Sequence, residues 1–146
     1  MSSVPPPTGV FVPVPTFFKT SSPSTLQAPL DIETQVQHSL HLAKNGVRGL
    51  VLLGSTGEAI HLSKAERFEL LSGVRKGFTD AGFPDYPLIA GVLTNSVEEA
   101  IEWLVDAQKA GSQWGLVLAP GYFGLAANQE NLQEVRSACL PPPFTA

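Results

Sequence analysis

The chain contains 146 residues, of which 43% are apolar and 15% are charged, and its formal net charge is −4. This length and composition suit one globular domain that buries a core, and they exclude a largely disordered chain. The acidic balance, with no cluster of lysine and arginine, predicts no nucleic-acid partner and no anionic membrane surface. The apolar runs are too short to span a bilayer.

The first eight residues are rich in serine and proline. They lack the basic start and the apolar core of a secretory signal, so residues 1–8 are predicted to be a short disordered lead-in and the protein to be cytoplasmic. The one cysteine, Cys139, has no second cysteine for an internal disulfide and no His or Cys at metal-ligand spacing. It is expected to be a free thiol.

The first part of the chain predicts a strand, a helix and a second strand. Residues 9–14 are an apolar strand candidate, followed by an irregular stretch of Ser, Thr and Pro. Asp31 is a suitable N-cap for a helix that ends at Gly46. Apolar residues recur along this helix at steps of three and four: Ile32, Val36, Leu40 and Ala43. Residues 47–53 are the second strand.

The rest of the chain repeats this alternation. Ser63 and Glu66 form a predicted capping box that opens a second helix, and Ser96 and Glu99 form another before a third helix. The second helix is expected to carry Phe68, Leu71, Val74 and Phe78 on one face, and the third to direct Val97, Ala100, Ile101, Leu104 and Ala107 inward. The remaining predicted elements are strands at residues 87–92 and 114–118 and a helix over residues 128–138.

Strand and helix therefore alternate four times, and the strands are nearly continuous apolar runs. This pattern is typical of a parallel sheet covered by helices. From the pattern alone, the α/β fold is either a doubly wound sheet or part of a barrel.

Residues 54–58, Gly-Ser-Thr-Gly-Glu, follow the second apolar strand directly. Glycines let the backbone approach a ligand closely, Ser55 and Thr56 bring hydroxyls, and backbone N–H groups in such a turn converge on a carboxylate or phosphate. The alternative interpretation is a plain connector, in which Gly and Ser only turn the chain and Glu58 is a solvated charge.

The other titratable residues favour no further chemistry. His38, His41 and His61 have no acidic or cysteine partner at ligand spacing, so no metal site is predicted. A hydrolase with paired carboxylates would need a second carboxylate at a strand end, whereas Asp80 and Asp85 fall in the loop at the opposite end.

Five motifs, in order, resemble the pyruvate-dependent class I aldolases and lyases related to dihydrodipicolinate synthase and N-acetylneuraminate lyase. They are PVPTFF at residues 13–18, GSTGE at 54–58, LSKAER at 62–67, LIAGV at 88–92 and APGYF at 119–123. The resemblance covers residues 9–135. Residues 57–62 and the loop around Tyr122 look closest to fungal aldolases that act on 2-keto-3-deoxy sugar acids.

The resemblance implies a (β/α)8 TIM barrel with its site at the carboxyl ends of the strands. Residues 9–138 would be the N-terminal half of this barrel, about the first four βα units, and residues 139–146 an irregular proline-rich tail. The resemblance also implies a homo-oligomer when the barrel is complete.

The same resemblance assigns roles to individual residues. Ser55 and Tyr122 match a catalytic proton relay, in which the tyrosine is inserted by a neighbouring subunit. Ser55, Thr56 and Gly57, with nearby amides, match the site that holds the carboxylate of pyruvate or another small 2-oxo acid. The implied chemistry needs no metal and no organic cofactor.

The family's reaction requires a lysine on the sixth strand that condenses with the keto carbon of pyruvate to form a Schiff base. This sequence contains four predicted strands, and its five lysines fall on helices or in the irregular segment. The expectation is a truncated member of a family that makes or cleaves bonds to 2-oxo acids, without the Schiff-base lysine. The alternative is a noncatalytic α/β fragment that binds a small carboxylate or associates with full-length subunits.

Overall fold

The sheet consists of four parallel strands whose spatial order follows the chain order. The computed structural model of the protein describes residues 4–20, 27–119 and 129–139. The strands are β1 (Phe11–Pro13), β2 (Gly49–Leu52), β3 (Leu88–Val92) and β4 (Trp114–Val117), arranged β1-β2-β3-β4. Val12 lies opposite Leu50, and Leu50 lies opposite Leu88, so these three residues share one face of the sheet.

Each strand is followed along the chain by a helix. The helices are α1 (Ile32–Lys44), α2 (Lys64–Asp80), α3 (Val97–Lys109) and α4 (Gln129–Cys139), and a short 3-10 turn covers Ala59–His61. Neighbouring helices contact one another in chain order, α1 with α2, α2 with α3, and α3 with α4. No helix within the described ranges is both long and apolar enough to cross a membrane.

The strand order distinguishes the two architectures that the sequence allows. A doubly wound sheet reverses its order at a switch point and carries helices on both faces. Here each new strand joins the same edge, and because βαβ crossovers are right-handed, every helix then lies on one face. This arrangement is that of the first four βα units of a (β/α)8 barrel. The predicted partial barrel is confirmed, and the doubly wound alternative is wrong.

The core lies between the sheet and the helices. Leu50, Leu52 and Leu88 are completely buried on the helix-facing side. Phe78 of α2 is also completely buried, and its ring stacks on that of Tyr86 with centroids 4.3 Å apart. Burial of one such side chain contributes about 1.5–3 kcal/mol, so this apolar layer is what holds the helices on the sheet.

The opposite face of the sheet carries exposed leucines. Val117 packs with Val92 and Cys139 on the helix side, and side chains alternate along a strand. Leu116 and Leu118 therefore point to the other face, where their side chains are 54% and 57% exposed. In a closed barrel this face is the interior and is filled by layers of side chains.

The helix caps agree with the sequence in part. The Asp31 carboxylate accepts hydrogen bonds from the Thr34 N–H (3.0 Å) and hydroxyl (2.8 Å), and these bonds lower the pKa of Asp31. The predicted N-cap is confirmed. Ser96 accepts from the Glu99 N–H at 3.3 Å, but the Glu99 carboxylate accepts from the Thr94 hydroxyl. In the predicted capping box, the Glu99 carboxylate would accept from the Ser96 N–H. The Thr94 hydroxyl takes the place of that donor.

The apolar faces of α2 and α3 are narrower than predicted. Ile101 is 38% exposed and Phe68 is 40% exposed, so the expectation that Ile101 faces inward is wrong. The buried residues of the two helices are Leu70, Leu71, Val74, Phe78, Ala100, Leu104 and Ala107.

The Arg75 side chain ties the loops at the amino ends of β3 and β4 to α2. Its guanidinium donates to the carbonyls of Gly111 (3.0 Å), Pro84 (2.7 Å) and Tyr86 (2.9 Å) and to the side-chain oxygen of Gln113 (2.8 Å). Burial lowers the pKa of Arg75. One planar cation therefore satisfies four acceptors that would otherwise need water molecules as donors.

Candidate functional site

The oxyanion loop, residues 54–58, forms a closed turn at the carboxyl end of β2. The Gly57 N–H donates to the Gly54 carbonyl (3.0 Å), and the Glu58 N–H donates to the Ser55 carbonyl (3.2 Å). The side chains of Ser55 and Thr56 are exposed, whereas Gly57 is buried. The turn therefore presents two hydroxyls to solvent from a fixed backbone.

Three consecutive backbone N–H groups of this loop have no partner in the part of the chain that the structure describes. Across residues 4–20, 27–119 and 129–139, the N–H groups of Gly54, Ser55 and Thr56 have no hydrogen-bond acceptor. The turn resembles the first turn of a helix, whose opening N–H groups always lack an internal partner. Unpaired backbone N–H groups beside hydroxyls suit a carboxylate or phosphate.

A sharp bend precedes the loop. Leu53 is 2% exposed and has a φ of 60°, a left-handed conformation that is uncommon for a residue other than glycine. The bend brings the Leu53 backbone over Gly91 of β3, where a Cβ would stand 2.2 Å from the Leu53 carbonyl oxygen. Gly91 is therefore required for the close approach that lets the chain leave β2 at this angle.

The loop is also held from β1. The Thr16 side chain is 8% exposed, and its hydroxyl donates to the Gly57 carbonyl at 2.6 Å. Gly57 itself is tightly enclosed, since a Cβ there would lie 3.0 Å from the Leu53 nitrogen and 3.2 Å from the Val14 carbonyl oxygen. Residues from three neighbouring strands thus meet around one turn.

The motif at residues 62–67 caps α2 and joins the 3-10 turn that follows the loop to α3. The predicted capping box of α2 is present, with Ser63 and Glu66 bonded reciprocally, and the Ser63 hydroxyl and N–H lower the pKa of Glu66. The Arg67 guanidinium donates to the Leu62 carbonyl and lies 3.5 Å from the Trp103 ring centroid. The cation therefore joins the end of the 3-10 turn to α3.

None of the five lysines is placed as a buried nucleophile. Lys19, Lys44, Lys64, Lys76 and Lys109 are all exposed. Lys64, which lines a small pocket behind Leu53, pairs with Asp106 at 3.2 Å. The hydrogen bond to Asp106 raises the pKa of Lys64, which is the opposite of the lowered pKa that a nucleophilic amine needs.

The structure brings together three of the four residues singled out for the site. Ser55, Thr56 and Gly57 share the oxyanion loop, whereas Tyr122 lies outside the described residues. Within the ranges that the structure describes, no group of three His, Cys, Asp or Glu side chains is arranged to hold a metal ion.

Sequence reasoning missed the two residues that hold the loop. The sequence pattern places Thr16 only within the motif at residues 13–18 and Gly91 only within a strand. A polar Thr16 at the end of an apolar strand and a Gly91 inside one are the signals that point to a buried hydrogen bond and a close backbone approach.

Known protein families match this chain over most of its length. The profile of the Dihydrodipicolinate synthetase family matches residues 8–138. An L-threo-3-deoxy-hexylosonate aldolase from Aspergillus niger is 39% identical over 127 residues, which are 86% of this chain and 36% of that protein. A Coccidioides immitis protein named for mitochondrial 4-hydroxy-2-oxoglutarate aldolase is 39% identical over 121 residues, 83% of this chain and 36% of that one.

Solved structures give the same result. A dihydrodipicolinate synthase family protein from Coccidioides immitis superposes with a TM-score of 0.75 at 32% identity, covering 90% of this chain and 39% of that one. A dihydrodipicolinate synthase from Acinetobacter baumannii, solved with pyruvate, gives 0.76 at 25% identity, covering 90% and 41%. This chain thus spans 36–41% of the length of these four proteins.

The strand order and the turn after β2 assign the chain to the (β/α)8 barrel fold, as the first four βα units of such a barrel. The chain belongs to the dihydrodipicolinate synthetase family. The resemblance predicted from five sequence motifs is confirmed, including the likeness to a fungal aldolase of deoxy sugar acids.

Proposed function

We propose that this chain carries the carboxylate-binding part of a pyruvate-dependent class I aldolase or lyase that acts on 2-oxo acids. The observation that carries the proposal is the set of three unpaired N–H groups at Gly54, Ser55 and Thr56, beside two exposed hydroxyls. The aldolases among the relatives and the synthase solved with pyruvate support the same substrate class.

The chemistry of the loop fits one end of a 2-oxo acid. Backbone N–H groups fixed by a turn donate charge-assisted hydrogen bonds to a carboxylate without further loss of backbone entropy. The Ser55 hydroxyl both donates and accepts, so it suits the proton relay proposed for it. Tyr122 is proposed as the second member of that relay, and a homo-oligomer as the assembly that supplies it.

We expect pyruvate to shift the amide NMR signals of Gly54, Ser55 and Thr56 selectively. Ser55→Ala and Thr56→Val each remove one hydroxyl and are expected to weaken pyruvate binding about fivefold, because one hydrogen bond is worth about 1 kcal/mol. The measurement is a titration of the ¹⁵N-labelled chain followed by heteronuclear NMR.

Two controls make this titration decisive. Ser72→Ala removes a hydroxyl from the middle of α2, where it donates to the Phe68 carbonyl, and is expected to leave the affinity for pyruvate unchanged. Pyruvamide lacks the charged carboxylate and is expected to cause no shift in the loop. Equal shifts with pyruvamide, or wild-type affinity in both loop variants, would contradict carboxylate binding at this turn.

A second candidate function is binding of a small carboxylate by a chain that does not itself catalyse a reaction. The exposure of all five lysines favours it, since a Schiff-base lysine needs a neutral, desolvated amine. We expect borohydride reduction with pyruvate to leave the intact mass of the 146-residue chain unchanged, while a lysine-dependent aldolase treated in parallel gains the adduct. An adduct mapped to one lysine would show that this chain carries its own nucleophile.

The cellular location stays a prediction. The cytoplasmic expectation rests on the composition of residues 1–8, and one relative is named for a mitochondrial location. Microscopy of the tagged protein in its own cells decides between the two compartments.

A further inference from the structure

We propose that Thr16 is a positioning residue for the oxyanion loop. Its hydroxyl sets the direction of the Thr56 N–H, one of the three loop N–H groups without a partner among the described residues, and does not touch the ligand. The proposal rests on the proposed function for the identity of the ligand, but the positioning itself is a property of the unliganded chain.

The contact between Thr16 and the loop is buried and short. The Thr16 hydroxyl donates to the Gly57 carbonyl at 2.6 Å, and its side chain is 8% exposed. Threonine is usually a surface residue. At this buried position, water cannot easily replace the Thr16 hydroxyl as the donor to the Gly57 carbonyl, so losing the hydroxyl is costly. A valine of the same shape would leave the Gly57 carbonyl without this hydrogen bond.

The backbone on either side of Thr16 is held by hydrogen bonds to α1 and β2. The next residue, Phe17, donates its N–H to the side-chain oxygen of Gln35 at 3.1 Å, and Gln35 is completely buried in α1. Two residues earlier, the Val14 N–H donates to the Val51 carbonyl of β2 at 3.1 Å. The segment that carries the hydroxyl is thus held by both the helix layer and the sheet.

The hydrogen bonds then run from one peptide plane to the next. The Gly57 carbonyl, held by Thr16, belongs to the same rigid peptide plane as the Glu58 N–H. The Glu58 N–H donates to the Ser55 carbonyl at 3.2 Å, and that carbonyl shares its plane with the unpaired N–H of Thr56. Thr16 therefore orients one of the three N–H groups, that of Thr56, through two peptide planes that are joined by a hydrogen bond.

The first test measures amide hydrogen exchange in the full 146-residue chain without ligand. In Thr16→Val we expect the Glu58 amide to exchange about tenfold faster, which corresponds to one lost hydrogen bond. The amides of Leu70 and Val74, in the buried part of α2, are expected to keep their wild-type rates. Thr16→Ser, which retains the hydroxyl, is expected to restore slow exchange at Glu58.

A matched variant separates positioning from general stability. Thr79→Val removes a threonine hydroxyl from the exposed end of α2, where it donates to the Arg75 carbonyl, and is expected to leave exchange at Glu58 unchanged. If Thr16→Val accelerates α2 and the loop by the same factor, Thr16 is merely structural and the proposal is overturned. If Thr16→Val does not fold, Thr16→Cys, whose thiol is a weak donor, is expected to give an intermediate rate at Glu58.

The second test adds pyruvate and keeps the two proposals distinguishable. We expect Thr16→Val to weaken pyruvate binding about tenfold and Thr16→Ser to bind like the wild type. Wild-type affinity in Thr16→Val, despite fast exchange at Glu58, would overturn the role of Thr16 in binding. If the wild-type chain does not bind pyruvate at all, the proposed function fails, while the exchange rates still decide whether Thr16 positions the loop.

Discussion

Gly91→Ala is expected to lower the free energy of unfolding by about 3 kcal/mol. A Cβ at this position would lie 2.2 Å from the Leu53 carbonyl oxygen and 2.8 Å from the Gly54 nitrogen, so the methyl group cannot be accommodated without moving the bend after β2. The obstacle is backbone rather than the end of a flexible side chain, and overpacking of this kind costs about 1–3 kcal/mol or more. The measurement is urea unfolding. We expect the midpoint to fall while the dependence of the unfolding free energy on urea concentration stays unchanged.

Gly54→Ala is the matched control for this substitution. The same methyl group placed on Gly54 meets nothing within 4 Å, and Gly54 does not have a positive φ. Its stability is therefore expected to stay within about 1 kcal/mol of the wild type, on the stabilising side if the backbone accepts alanine without strain. Equal stability of Gly91→Ala and Gly54→Ala would show that the bend at Leu53 is not packed on Gly91.

Arg75→Met is expected to cost about 3 kcal/mol of stability. The substitution keeps the aliphatic stem but removes donors from three carbonyls and from Gln113. These bonds are part-buried or exposed, so water replaces much of each one, and a net loss of about 0.5–1 kcal/mol for each of the four bonds accounts for the expected cost. Arg75→Lys is expected to recover less than half of it, because an ammonium cannot span the planar arrangement of acceptors.

Arg48→Met provides the control for Arg75. Arg48 is exposed at the amino end of β2, and substitutions at such positions change stability by about 0.5 kcal/mol or less. The comparison by urea unfolding separates the effect of the Arg75 hydrogen bonds from that of losing one positive charge. A similar loss in both variants would mean that net charge, and not the clamp across the two loops, stabilises this end of the sheet.

The fold follows from the sequence because its signals are local and repeated. Four apolar runs separated by capped helical patterns predict four βα units, and all are present with boundaries shifted by one or two residues. The pattern does not decide between a partial barrel and a doubly wound sheet. That choice depends on which edge each strand joins, a property of tertiary packing that appears in no single segment.

The site was predictable at the level of the loop and not of its supports. Glycines and hydroxyls at residues 54–58 predict a turn that presents N–H groups, and the turn is there. The left-handed Leu53 was not foreseeable, because leucine disfavours a positive φ and adopts it only where its surroundings enforce it. The hydrogen bond from Thr16 to Gly57 spans 41 positions, so no local pattern reports it.

The agreement of strand order with chain order has a consequence for how the protein is made. Each strand pairs with the strand just before it, so every pairing closes one crossover of similar length rather than a loop spanning the chain. The entropy cost of each step is then nearly constant. During synthesis, the sheet can grow one strand at a time behind the ribosome, and β1 with β2 already forms the surface on which β3 docks.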